Sequence, residues 1–205
     1  YYFYLVHVHW KELKSEELTA IIFAISGLHL EAFTQTAYPN PGQEVEVNVQ
    51  ALNRSNIDIK LKSVFINDQK VAIDNEALKN NNLVTKKVDL TIPSATDYTS
   101  PYWLIEKGTL GTYKVSNTDL IGKPETPRAF YAKFLVNING TLIPITRPVV
   151  YKYAKPDKGE IYQPFEIVPE ATASFADKVL IFADASSKKV PVTIKAHQDS
   201  ISATI

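Results

Sequence analysis

The chain has 205 residues, with 22 Lys plus Arg set against 22 Asp plus Glu, so its formal net charge is zero. That length is enough to bury a sizeable core, and scattered bases on a neutral chain leave no positive field for nucleic acid or anionic lipid. The absence of cysteine excludes disulfides, thiolate metal sites and a cysteine nucleophile.

The chain begins at Tyr1 and contains no Met, which reads as a fragment or a processed form. No apolar run reaches the roughly 18 residues that would span a bilayer. "TAIIFAISGLHL" comes nearest, and no basic, apolar and small-residue succession of a signal peptide is seen.

The first feature is "HVH". On a strand, His7 and His9 would share a face at metal-ligand spacing. No carboxylate accompanies them, so the plainer expectation is two polar positions on an edge strand beside Trp10.

Next comes an expected helix. Ser15 suits an N-cap, with Glu16 and Glu17 in the first turn. Leu18, Ile21, Ile22, Ile25, Leu28 and Ala32 recur at helical spacing, while Phe23, Ala24, Leu30 and Phe33 occupy the other side. A helix apolar nearly all round is expected to be buried on more than one side. This predicts a helical lead-in over 1–36, wedged between the rest of the chain and a part of the protein upstream. His29 would then be a satisfied core histidine, and His197 stands alone.

"YPNPGQ" is a strong stop, after which the period becomes two. Val45, Val47, Val49 and Ala51 alternate with Glu44, Glu46, Asn48 and Gln50. After the "NRSN" turn, Ile57, Ile59 and Leu61 alternate with Asp58, Lys60 and Lys62, and a phase slip at Ser63-Val64 predicts a bulge. Val88, Leu90 and Ile92 form another run, closed by Pro93. Phe130, Ala132, Phe134, Val136 and Ile138 lead into Asn139-Gly140, the pair that a tight type I′ hairpin turn wants. "NRS" and "NGT" match a glycosylation sequon but are read as turns.

These signals predict a mainly β chain: an antiparallel immunoglobulin-like β-sandwich over 37–154, preceded by the helix. "KPDKGE" reads as a boundary. Beyond it, Phe165–Ile167, Val179–Phe182 and Val190–Ile194 look like strands, so 155–205 is expected to be a partial second sandwich, with strands completing the first as the other option.

No G-x-S-x-G, H-E-x-x-H, P-loop or G-x-G-x-x-G occurs. No acid, base and anion hole assemble, and the chain reads as non-catalytic. In "SPYWLIEKGTLGTYKV", Tyr102 and Trp103 admit two readings. They plug the end of a sheet, or, with Tyr113, they form a platform on which a sugar ring stacks. Tyr98 and Tyr131 could join that surface.

Three stretches together resemble a known family. They are "ELTAIIFAISGLHLEAFTQTAYPNPGQEVEVNVQALNRS", "SPYWLIEKGTLGTYKVSNTDLIGKPETP" and "RPVVYKYAKPDKGEIYQPFEIVPE". Their order resembles the non-catalytic C-terminal region of bacterial PIG-L/LmbE-type N-acetyl-sugar deacetylases, over most of 16–195. The resemblance implies a zinc-dependent catalytic domain upstream as partner, a glycan as a further partner, and an exported protein, periplasmic or extracellular. The family's His-Pro-Asp-Asp-type motif is absent, so no catalytic residue carries over. No cofactor is implied for this segment itself; zinc belongs to the parent's catalytic domain. Tyr102, Trp103, Gly111, Tyr113, Gly122, Pro124 and Glu125 are the family-like loop positions.

Overall fold

The computed structural model describes residues 2–177, 179–184 and 186–198, with side chains from residue 7 onward. Helix α1 (Tyr2–Ile25) leads into β1 (Leu28–Thr34), β2 (Glu44–Asn53), β3 (Ile59–Ile66), β4 (Gln69–Lys70), β5 (Glu76–Ala77) and β6 (Val84–Thr91). A 3-10 turn, Tyr102–Leu104, precedes the hairpin β7 (Glu106–Thr109) and β8 (Thr112–Lys114), and a second such turn spans Thr118–Leu120. Then follow β9 (Tyr131–Ile138), β10 (Thr141–Lys155), β11 (Gly159–Pro164), β12 (Ala171–Phe175) and β13 (Val192–Ala196). The chain is mainly β with one N-terminal helix, as the period-two runs imply.

The helix is displaced from its expected position. It starts at Tyr2 and runs through Ser15, which is no cap: its Oγ donates to the Lys11 carbonyl one turn back, at 2.7 Å. Glu16 and Glu17 therefore lie mid-helix, and Glu17 pairs with Lys14 at 2.7 Å. The helix ends at Ile25 because Gly27 takes φ +64°, the left-handed conformation that closes a helix C-terminus. From there "LHLEAFT" is a strand. Leu28, Leu30, Ala32 and Thr34 are all buried at period two, so His29 and Phe33 belong to β1 and not to a helix. Seven apolar-rich residues fit either period, and tertiary pairing with β2 decides for the strand.

Contacts divide the chain into two units, and not at residues 36 and 154. The first comprises Tyr1–Ala37, Glu44–Leu90 and Arg128–Phe165. Its nine-stranded sheet runs β4-β3-β9-β10-β1-β2-β6, with β11 also on β10 and β5 also on β3. The β1–β2, β3–β9, β9–β10 and β10–β11 pairs are antiparallel, whereas β1 runs parallel to β10 through Ala32↔Val149 to Thr34↔Tyr151. Strand β10 is the hub. Its Thr141–Pro148 half pairs with β9, its Val149–Tyr151 segment with β1 and its Val150–Lys155 end with β11. "KPDKGE" is thus the turn of the β10–β11 hairpin and no boundary.

The alternation holds where the pattern is regular. Val45, Val47, Val49 and Ala51 from β2, Ile59 and Leu61 from β3, and Ala132, Phe134 and Val136 from β9 are all buried. The β3–β9 register shifts between Leu61 and Ser63, the bulge expected from the phase slip. Asn139 and Gly140 take φ 48° and 91°, both positive as a type I′ turn requires.

The second unit comprises Tyr38–Gln43, Thr91–Pro127 and Glu166–Ile205. Its segments are laced by backbone bonds: Gly42 and Gln43 exchange with Ile92 at 2.8 Å, and the Thr99 N–H donates to the Ile167 carbonyl at 2.8 Å. Ile92 and Ile167 are fully buried. The last strands differ from expectation. β12 pairs with β13 in a two-stranded sheet, while Val179–Phe182 is no strand and its four side chains are exposed.

In the first unit Asn53, 1 % exposed, closes the "NRSN" turn. Its Nδ2 donates to the Ile57 and Leu78 carbonyls at 3.0 and 2.9 Å, and its Oδ1 accepts from the Ser55 N–H and Oγ. Asn53→Ala strands those buried partners and should cost about 2–3 kcal/mol in urea unfolding. Asn53→Asp keeps the acceptor and loses both donors, so it should recover little of the loss.

Candidate functional site

The Tyr102–Trp103 pair sits on the 3-10 turn that Pro101 opens and that the Leu104 N–H closes on the Pro101 carbonyl at 2.9 Å. Both rings are half-buried and meet edge-on, 4.9 Å between centroids at 87°. Tyr102 is tied down at both ends. Its N–H donates to Thr126 Oγ1 at 2.9 Å and its hydroxyl to the Lys123 carbonyl at 3.0 Å. It therefore fastens loop 123–126 to the turn.

The 3-10 turn packs on the β7–β8 hairpin. Gly108 is required there, because a Cβ would lie 2.4 Å from the Thr112 carbonyl oxygen. Glu106 of β7 bridges to Lys114 of β8 at 2.9 Å and accepts from the Ser116 N–H at 3.0 Å. Ser116 first and Lys114 second hold its carboxyl down to about 2. The hairpin tip is apolar and open: Leu110 is fully exposed and Tyr113 is 69 % exposed. Neither sequence reading of the pair is complete. Tyr102 is structural by its bonds, Trp103 is half in and half out, and Tyr113 on β8 is the side chain most available to a ligand.

His7 and His9 lie on α1, not on a strand. Two residues apart on a helix they point about 200° apart, so they share no face and form no metal pair. The His9 ring instead meets Trp10 edge-on at 5.7 Å. His197 Nε2 lies 3.2 Å from Thr172 Oγ1. No three His, Cys, Asp or Glu among the described residues converge as a metal site, so these residues do not fit the zinc that the resemblance implies for its catalytic domain.

The densest electrostatic constellation is on β1, β10 and β11. Lys152 Nζ lies 3.1 Å from both Glu31 Oε2 and Glu160 Oε1, 4.5 Å over the Phe33 ring and 5.3 Å over the Tyr162 ring. Tyr162 donates its hydroxyl proton to Glu160 at 2.9 Å, and His29 Nε2 stands 3.6 Å from Glu31. Side chains of Lys152 and Glu31 are only 13 % and 8 % exposed. Burial alone would lower the ammonium pKa; hydrogen bonds to Glu160 and Glu31 overcome it and leave it raised. Hydrogen bonds from Tyr162 and then Lys152 lower Glu160, while burial and the bond to Glu160 raise Tyr162.

Compared with family models, curated proteins and solved structures, the chain matches none.

Sequence reasoning missed the Lys152 constellation. Glu31 and Lys152 are 121 positions apart, and the only local signal is the alternation of aromatic and basic residues in "YKYAK". This cluster joins three strands and carries no unpaired nucleophile, so its geometry suits a structural pin.

Lys152→Met should therefore cost about 2–3 kcal/mol by leaving the buried Glu31 without its cation. Adding Glu31→Gln should return part of that loss. The pH dependence has a definite sign. Lys152, raised, contributes fully below the ordinary lysine value near about 10.4 and loses its contribution as pH climbs through the raised one. Glu160, lowered, contributes above the ordinary value near about 4.3 and loses it as pH falls through the lowered one. The stability gap between wild type and Lys152→Met, followed by urea unfolding across pH, should form a plateau between those limits and narrow on either side.

Proposed function

We propose that the chain is a non-catalytic accessory region of a PIG-L/LmbE-type, zinc-dependent N-acetyl-sugar deacetylase, docking on and supporting the catalytic domain. The observation that carries this reading is the outer face of α1. Leu18, Ile21 and Ile25 are 56 %, 56 % and 75 % exposed at i, i+3 and i+7, an apolar stripe with no partner in the described residues. The catalytic domain is the surface that would cover it. The zinc would be held there by that domain's own ligands, and the segment studied here contributes scaffold and docking.

The finer fold reading is an immunoglobulin-like sandwich. Its support is strand order: β4-β3-β9-β10 reproduces the order of the C-F-G sheet with one added edge strand, and β1-β2-β6 that of A-B-E. Strand β10 belongs to both series, so β1 meets it in parallel. The alternative function, a carbohydrate-binding or adhesion module of an exported protein, is favoured by one feature, the open Tyr113 beside the half-buried Trp103.

Peptide mapping of the native polypeptide that contains this segment separates the two. Upstream peptides with a His-Pro-Asp-Asp-type motif are the expected result; a native mass equal to the segment's 23.0 kDa would sink the deacetylase reading. With the catalytic domain supplied separately, Leu18→Lys with Ile21→Lys should weaken association by at least about tenfold, since each swap removes a buried aliphatic contact. The folded state should be unchanged, because both side chains already face solvent. Undiminished association would exclude α1 as the docking face.

A further inference from the structure

A concavity of about 530 Å³ opens within the second unit, lined by Pro41, Ser94, Thr96, Asp97, Tyr98 and Glu170 among others. That volume lies in the range of small-molecule sites. The backbone around it is held in place. The Thr96 N–H donates to the Pro93 carbonyl at 2.9 Å, and Thr99 and Ile167 are doubly bonded through the Thr99 carboxy-side ladder and hydroxyl. The Glu170 carbonyl accepts from the His197 N–H at 2.8 Å.

The lining chemistry is one-sided. It carries two carboxylates, Asp97 and Glu170, and no basic side chain. Neither carboxylate has a hydrogen-bond or ion-pair partner among the described residues. Elsewhere in the chain Glu31, Glu46, Glu106 and Glu160 all face lysines at 2.8 to 3.1 Å. Tyr98 is 55 % exposed and offers a ring face, while Ser94 and Thr96 add hydroxyls that both donate and accept. Next to the lining Pro41, Asn40 is 3 % exposed and its Oδ1 is a buried acceptor without a partner. The set is therefore rich in acceptors and short of cations.

We propose that this concavity binds an amino sugar: a cationic, hydroxyl-rich small molecule whose ammonium is held by Asp97 and Glu170 and whose ring stacks on Tyr98. An ammonium supplies three donors to carboxylates that have none, and its charge is attracted by the aromatic face. Sugar C–H groups suit the same ring and sugar hydroxyls suit Ser94 and Thr96. An anionic ligand is repelled, and an N-acetylated sugar lacks the charge the site is built to meet. The saccharide scaffold rests on the reading proposed above; the preference for an ammonium rests on the two carboxylates alone.

The test is a heteronuclear NMR titration of the whole 205-residue chain with three probes: a β-1,4-linked glucosamine dimer, its N,N′-diacetyl form and methylammonium. The glucosamine dimer should shift residues 94–98 and 170, with the diacetyl form binding about tenfold more weakly, the worth of one charge-assisted hydrogen bond. Asp97→Asn with Glu170→Gln should lose about the same factor while keeping the wild-type spectrum elsewhere, since neither group is tied into the fold. The proposal is overturned if no probe shifts these residues at millimolar concentration, if the diacetyl dimer binds as tightly, or if the shifts survive in the double variant. Methylammonium binding as tightly as the dimer would overturn the saccharide. Peptide mapping decides the deacetylase reading separately, so an amino-sugar site in a chain without that motif would stand by itself.

Discussion

The first unit depends on a single constraint, that β10 must serve three partners along fifteen residues. A strand has two edges, so three partners require the chain to hand over along its length. Proline makes this possible. Pro148 pairs with Tyr131 at the last position of the β9 ladder, and from Val149 onward the strand turns to β1 and β11. A residue without an N–H is tolerated where a ladder ends. Just past this handover, Lys152 joins β1 and β11 through Glu31 and Glu160. The ion cluster thus sits where β10 has exchanged one set of neighbours for another, and where backbone pairing alone specifies register least.

Legibility in the sequence followed the length scale of the signal. Strands β2 and β9 were readable because one face is buried and the other polar, a contrast that survives without any knowledge of partners. The Asn139-Gly140 turn was readable because its positive φ values are properties of two residues. The end of α1 was not. "ISGLHLEAF" satisfies helical and extended periodicity together, and only the seven-residue register with β2 decides between them. Ser15 looked like a cap because capping residues are also tolerated inside helices, where their hydroxyls bond back one turn, as this one does to Lys11.

The candidate sites obey the same rule. Tyr102 and Trp103 were visible as a pair, but their roles separate only once the Tyr102 hydroxyl is seen to hold Lys123. His7 and His9 were a site only while the segment was a strand, and the helical period dissolves it. The Lys152 cluster and the Tyr98 concavity are built from residues far apart in the chain, and no local motif announces either.

The distinction between a structural carboxylate and a recognition carboxylate comes down to who satisfies it. Glu31 is buried, and removing its lysine exposes the fold to the full cost of an unpaired charge. Glu106 is bound to a lysine and a backbone N–H across its own hairpin, and its lowered pKa records that commitment. Asp97 and Glu170 are solvated and unpaired beside a concavity, so neutralising them costs the fold little. In a chain whose formal charges cancel, acids left without bases at one place are a local surplus that folding does not use. Such a surplus is where a cationic ligand gains the most, because its charge meets acceptors that no internal donor competes for.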